Sequence, residues 1–287
     1  MRAEPIKAHI KATPLKEHIG ANVEVDRDRL GDPEVGRQCM ELLDKYHVLV
    51  FPRINLTDEE QLTFTDSLGK RLNFSKKVDG GKGGTPDVYR VTLNSKINRQ
   101  QEYIKGTYFW HMDGMTVPEQ PPKATLLNGR IITDKGGDTH FCSTYAGYEF
   151  LDDDMKKEIE NLRVVHSLTP YLSSIMEEPT ADELARWNSQ PINEWPLVWK
   201  HNTGQRSLVM GATCHHIKGM DLASGKALIA RLMEWTAQPN FTYIHKWQQG
   251  DLVIWNNYGV MHRVTPYPED CGRQMHRTTL EATEYLQ

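Results

Sequence analysis

Apolar positions along this chain fall mainly into short runs of strand type, separated by a few stretches with helical period. The opening reads as short strands around Ile10–Thr13 and Ala21–Val25. Val48-Leu-Val-Phe51 is a continuous apolar run, and further strands are predicted at 124–132, 197–199, 207–210, 242–247 and 251–255. Helical spacing places a helix near Asp32–Tyr46, with Val35, Met40, Leu42 and Leu43 on its apolar side. Thr57-Asp-Glu-Glu60 is a capping-box pattern that starts a second helix carrying Leu62, Phe64 and Leu68. Thr180-Ala-Asp-Glu183 repeats the pattern, and Leu222–Trp235 is amphipathic through Leu228, Ile229, Leu232 and Met233.

Periodicity is lost from about Asn73 to Tyr108, where Lys76–Pro86 is rich in glycine. A lid over a site and a plain solvent loop both fit a stretch this long, and the reading taken is a lid over 73–109. A helical insertion is expected over 143–190. There is no internal repeat and no interdomain linker, so residues 1–287 read as one domain. Many short strands with a few helices predict a mainly β fold with a helical cover, a jelly roll or double-stranded β-helix.

Composition narrows the function classes without choosing one. Hydrophobic content of 38% and charged content of 25% suit a globular protein. A net charge of −4 gives no general attraction to nucleic acid or to an anionic membrane, so neither is expected as a partner. Cys39, Cys142, Cys214 and Cys271 are scattered, with no CxxC pairing and no disulfide framework. The first residues lack an apolar signal region and no run approaches 18 apolar residues, so a cytoplasmic protein is expected. The oligomeric state is left open, a homo-oligomer included.

The candidate chemistry centres on His111 and Asp113, in Tyr108-Phe-Trp-His-Met-Asp-Gly114, and on His262 far downstream. In a strand, residues two apart share a face, so one imidazole and one carboxylate can grip the same ion. A distant histidine completes the 2-His-1-carboxylate facial triad, which holds Fe(II) and leaves positions open for a cosubstrate and O2. After His262, a strand is predicted from Arg273 to Leu280, with Arg273, Met275, Arg277 and Thr279 on one face. Two arginines roughly 13 Å apart along a strand can serve two different anions in one cavity.

The order His111-x-Asp113, Gly136-Gly-Asp-Thr139, His262, Arg273, Arg277 resembles the TauD/TfdA group of Fe(II)/2-oxoglutarate-dependent dioxygenases. The resemblance spans nearly the whole chain and is nearest to the TfdA branch, which acts on aryloxyalkanoates. It implies Fe(II) bound by His111, Asp113 and His262, with 2-oxoglutarate as cosubstrate. It further implies that Arg273 and Thr139 hold the distal carboxylate of 2-oxoglutarate, and that Arg277 holds an acidic group of the small substrate. Oxidation by O2 would then release succinate and CO2.

One departure stands out. The family usually has Trp-Asp-Asn-Arg before its distal histidine, whereas this chain has Trp255-Asn-Asn-Tyr258. Neither changed residue is a metal ligand, so the expected consequence falls on substrate choice. Adjacent strand residues face opposite ways, so His215-His216 is read as structural or pocket-lining. His140 stands as a neighbour of the site or as solvent-facing, and Trp110 and Trp255 as core. No Gly-x-Ser-x-Gly elbow, P-loop or dinucleotide fingerprint supports another enzyme class. Three alternatives remain. They are an oxygenase of the same family acting on taurine, an alkyl sulfate or an amino-acid-derived acid, a zinc hydrolase, and a non-enzymatic acid-binding jelly roll.

Overall fold

A computed structural model describes residues 10–72 and 84–286. The chain opens with β1 (Lys11–Pro14) and β2 (Ala21–Glu24), which pair antiparallel. Helix α1 (Pro33–Tyr46) has proline at its start, where no N–H is needed, and the Asp32 carboxylate accepts the Glu34 N–H. Next come β3 (Val48–Phe51) and α2 (Asp58–Leu68), the latter opened by the expected capping box between Thr57 and Glu60. Then follow β4 (Tyr89–Val91), α3 (Gln101–Gly106), β5 (Ala124–Ile131) and β6 (Thr139–Ser143). The middle of the chain carries α4 (Thr144–Glu149), α5 (Asp153–Ile159), β7 (Arg163–His166), α6 (Leu168–Ile175) and α7 (Ala181–Asn188). Beyond them lie β8 (Asn193–Pro196), β9 (Val198–Lys200), β10 (Arg206–Leu208), β11 (Cys214–Ile217) and α8 (Leu222–Thr236). The last strands are β12 (Thr242–His245), β13 (Leu252–Asn256), β14 (Val260–Val264) and β15 (Gln274–Leu280).

Two sheets organise these elements. The larger has the order β1-β2-β3-β13-β5-β15-β4 and the smaller β12-β6-β14. From β12 to β15 the chain alternates between them, so residues on consecutive strands face each other across the gap. The alternating pattern inside each strand decides which residues do so. Val48, Val50, Leu127, Val253, Trp255 and Met275 of the larger sheet pack against Phe141 and Val260 of the smaller. The intervening residues Leu49, Phe51, Leu126, Leu252, Ile254 and Leu280 point the other way, onto Val35, Cys39 and Leu43 of α1 and Phe64 and Leu68 of α2. Each such side chain, fully buried, contributes about 1.5–3 kcal/mol before conformational entropy is subtracted. A third apolar cluster joins α8 to β7, β9, β10 and β11.

Several expectations change in detail. The 143–190 stretch is not helical throughout, because Arg163–His166 forms β7 between β8 and β11. His111 and Asp113 do not lie in a regular strand: His111 makes a single bridge to His262, and a turn follows. Of the expected lid over 73–109, residues 73–83 lie outside the described residues. The remainder is ordered structure, with β4 pairing β15 and α3 packing near α6. Among the described residues no helix is long and apolar enough to cross a membrane.

Candidate active site

His262 lies on β14, where it pairs with Phe141 of β6, and both side chains face the larger sheet. His111 joins the free edge of β14. Its N–H donates to the His262 carbonyl at 3.0 Å, and the His262 N–H returns a bond to the His111 carbonyl at 2.9 Å. That exchange brings the two imidazole rings to 4.2 Å between centroids. Gly211 permits the loop before β11 to lie directly on this strand, since a Cβ there would come within 3.0 Å of the His111 Cα. Asp113 follows two residues later, with its Oδ1 4.0 Å from His111 Nε2 and 3.8 Å from His262 Nε2. One ligand atom from each residue lies within 4.8 Å of the others, and no other such group of three is found among the described residues.

These three donors suit a divalent metal. The 3.8 and 4.0 Å separations are too long for hydrogen bonds, so two ring nitrogens and a carboxylate oxygen face one another across a gap. His111 Nδ1 is 2.8 Å from the Phe109 carbonyl, which can only accept, so the proton sits on Nδ1 and Nε2 presents its lone pair. Burial pushes the pKa of both histidines below its ordinary value, which favours the neutral, ligating form. Burial works to raise the Asp113 carboxyl, but the Arg277 cation and the Thr125 hydroxyl hold it below its ordinary value. Its second oxygen, Oδ2, is already taken: the Thr125 hydroxyl donates to it at 2.8 Å and Arg277 Nη2 at 3.1 Å.

Arg273 precedes β15 and is 3% exposed. Its Nη2 donates to the Gly137 carbonyl at 3.2 Å, and the guanidinium lies 4.7 Å over the Tyr267 ring. No carboxylate pairs with it among the described residues, and burial pushes its pKa down. A desolvated cation so placed calls for an anion. The Gly136–Gly137 turn makes the approach feasible, as both residues have positive φ and a Cβ at Gly136 would lie 2.0 Å from the Pro266 carbonyl oxygen. Thr139, on β6, faces the same interior as Phe141 and His262. Its hydroxyl oxygen accepts the Trp247 indole N–H at 2.9 Å.

A cavity of about 430 Å³ opens on two of the triad residues, His111 and Asp113. His111, Asp113 and Arg277 line it, together with Tyr89, Tyr171 and Leu172, whereas Arg273 and Thr139 do not. The described part of the expected lid is thus one wall of this cavity, and α6 is another. Of the two arginines, close in sequence, only Arg277 lines this cavity. The remaining candidates lie outside the triad. His215 and His216 are an exception to strand alternation, because a register shift beside them brings their Nδ1 atoms to 2.8 Å. Trp255 is core and packs 4.6 Å from the His262 ring, Trp110 is partly buried under Arg263, and His140 is half-buried beside Trp110. Thr125, which donates to Asp113, and Asn257, which donates to Thr125, escaped the sequence reading, since only tertiary folding brings these segments together.

Residues 11–279 match the family described as taurine catabolism dioxygenase TauD, TfdA family. The chain belongs to the TauD/TfdA family of 2-oxoglutarate-dependent dioxygenases. It is 32% identical to the alpha-ketoglutarate-dependent 2,4-dichlorophenoxyacetate dioxygenase of Cupriavidus pinatubonensis, over 94% of this chain and 97% of that one. It is 31% identical to the (S)-phenoxypropionate/alpha-ketoglutarate-dioxygenase of Sphingobium herbicidovorans, over 78% of each. The crystal structure of AAD-2 in complex with Mn(II) and N-oxalylglycine superimposes with a TM-score of 0.80 at 30% identity, covering 97% of this chain and all of that one.

The departure from the family's Trp-Asp-Asn-Arg has a structural cause in this dioxygenase. Asn256 Nδ2 is 3.4 Å from the Asp44 carboxylate, where an aspartate would set two carboxylates together. Lys123 pairs with that same Asp44 oxygen at 2.6 Å and lies 4.7 Å over the Tyr258 ring. The Tyr258 hydroxyl accepts the backbone N–H groups of Thr283 and Glu284 at 2.7 and 3.0 Å. Tyr258 therefore holds Thr283 and Glu284, Asn256 joins its turn to Asp44 and accepts the Tyr258 N–H, and neither lines the cavity.

Proposed function

We propose that this dioxygenase oxidises a small carboxylate of the aryloxyalkanoate type, with O2 and 2-oxoglutarate as cosubstrates. In this reading the two facing sheets are the core of a double-stranded β-helix. His111, Asp113 and His262 hold Fe(II), Arg273 and Thr139 hold the distal carboxylate of 2-oxoglutarate, and Arg277 takes the acid of the substrate. Bound Fe(II) and 2-oxoglutarate together supply O2 activation, with succinate and CO2 released.

The observation that carries the reading is the composition of the cavity. A cation, Arg277, and two of the three proposed metal ligands share it with Tyr89, Tyr171 and Leu172. Such a site orients an anion near the metal and covers an aryl ring with apolar walls. The names of the relatives point the same way, since both act on phenoxy acids. The walls also keep bulk water from the metal, and Trp247 leaves the Thr139 hydroxyl proton free to donate because it occupies the oxygen as a donor itself. Hydroxylation of an aryloxyacetate beside the ether oxygen gives a hemiacetal, which breaks down to a phenol and glyoxylate.

The test is to follow O2 uptake, succinate and phenol in the Fe(II)-loaded protein with 2-oxoglutarate. Aryloxyacetates and aryloxypropionates are compared with taurine and alkyl sulfates. Aryloxy acids should turn over fastest, with phenol matching succinate. Preferred turnover of taurine or an alkyl sulfate would overturn the substrate class, and succinate formation with none of them would overturn it as well.

A further inference from the structure

We propose that Thr125 and Asn257 are positioning residues that hold Asp113 to one metal-binding oxygen and so keep a coordination position open for O2. The proposal rests on the reading of His111, Asp113 and His262 as the metal site. A facial triad uses three of six positions, and a chelating keto acid would use two more. One position is left. A carboxylate that swung to bind through both oxygens would fill it.

The arrangement around Asp113 Oδ2 prevents that swing. An ionised carboxylate only accepts, so the Thr125 hydroxyl proton must point at Oδ2, 2.8 Å away. The Thr125 oxygen in turn accepts from Asn257 Nδ2 at 3.0 Å. With its proton already committed to Asp113, Thr125 can only receive from the amide, which fixes which end of Asn257 faces it. Asn257 makes no other side-chain hydrogen bond among the described residues, and its Oδ1 is buried without a partner. Leaving a buried amide oxygen unpaired is costly, so packing alone does not account for an asparagine at this position.

Both residues are rigidly placed. Thr125 is wholly buried on β5, between Trp255 of β13 and Thr279 of β15. Asn257 is wholly buried in the turn between β13 and β14, where its backbone N–H donates to the Lys123 carbonyl at 3.0 Å. Arg277 also donates to Oδ2, but it lines the cavity and is the proposed partner of the substrate acid. When the substrate draws on Arg277, Thr125 remains. The pair thus holds Oδ2 throughout turnover, while Oδ1 stays turned toward His111 and His262.

Mn(II) provides a readout independent of turnover, because water bound to it relaxes solvent protons. All proteins carry Arg277→Ala, which removes the other donor to Oδ2, and are loaded as full-length chains with Mn(II) and 2-oxoglutarate, without substrate or O2. The complex with Thr125 and Asn257 intact should show enhanced proton relaxation from water in the open position. Thr125→Val, nearly equal in shape, should lose that enhancement, and Thr125→Ser should retain it. Asn257→Leu, which frees the hydroxyl to turn, should lower it in part. Undiminished relaxation in Thr125→Val, or loss in Thr125→Ser equal to that in Thr125→Val, would overturn the proposal. Should Thr125→Val not fold, undiminished relaxation in Asn257→Leu would overturn it. Asp113→Ala separates the two readings: if that variant binds Mn(II) as the native protein does, the metal site itself has been misassigned.

Discussion

Arg277 donates to Asp113 Oδ2 at 3.1 Å, which ties the cation of the cavity directly to a proposed metal ligand. The contact spans the two halves of the site: β15 brings Arg277 from the larger sheet, while Asp113 hangs from the edge of the smaller one. If Arg277 takes the substrate carboxylate as proposed, that acid meets a guanidinium already held against Asp113.

The first prediction concerns that guanidinium. A good acidic substrate and its neutral amide are compared by kcat/KM in the native enzyme and in Arg277→Ala. The native enzyme should favour the acid strongly. Removing one partner of a desolvated charge pair costs roughly 2–5 kcal/mol, about thirty-fold to several thousand-fold. The variant should lose most of the preference, and full discrimination in Arg277→Ala would mean that the acid is read elsewhere.

Arg273 should behave differently. It is the more deeply buried of the two and has no carboxylate partner among the described residues. Arg273→Ala should raise the KM for 2-oxoglutarate by a factor in the same range, from about 2–5 kcal/mol, and Arg277→Ala should raise it far less. Titration of 2-oxoglutarate in both variants checks this. Equal effects would sink the assignment of Arg273.

Tyr258 offers a contrast between a structural and a functional role. Tyr258→Phe removes the acceptor shared by the Thr283 and Glu284 N–H groups, at about 0.5–1.5 kcal/mol per lost bond. Amide exchange at Thr283 and Glu284 should accelerate and Tm should fall modestly. Substrate preference should stay as it is. A changed preference would restore a role for Tyr258 in the pocket.

Acid should weaken the fold in part through Asp251. The carboxylate accepts from the backbone N–H groups of Arg53 and Gln248, each at 2.8 Å, and lies 3.1 Å from His245 Nε2. Burial works to raise its pKa, but the bonds to His245, Gln248 and Arg53 prevail and hold it below its ordinary value. Its contribution is therefore complete above the unfolded value of about 3.9 and is lost as pH falls through the lower folded value. Urea unfolding across the acid range should show native stability falling in that window. Asp251→Asn should be less stable near neutrality, by about 1–3 kcal/mol for donors left unpaired, with a flatter decline toward acid. An unchanged slope would exclude Asp251 as a contributor.

The sequence alone determined those features whose physics is local. Apolar runs marked β5 and β13, period-two alternation marked β15, and Thr57 with Glu60 marked the start of α2, because strand and helix-capping preferences are settled within a few residues. The His-x-Asp spacing, the distant histidine and the two arginines were legible because metal and anion binding demand particular residue types in a particular order. Tertiary structure decided which atoms meet. Only the pairing of β5 with β13 and β15 sets Thr125 beneath Asp113, and only the folding of the final segment onto Tyr258 explains why an aromatic ring replaces a cation there. The bulge that turns His215 toward His216 was equally invisible, since register belongs to the partner strand as much as to the residue itself. Hydrogen bonds between segments brought together only by folding, whether 12 positions apart as in Thr125 and Asp113 or 132 as in Asn257 and Thr125, leave no periodic trace in either segment, so the chain could announce its ligands but not the neighbours that aim them.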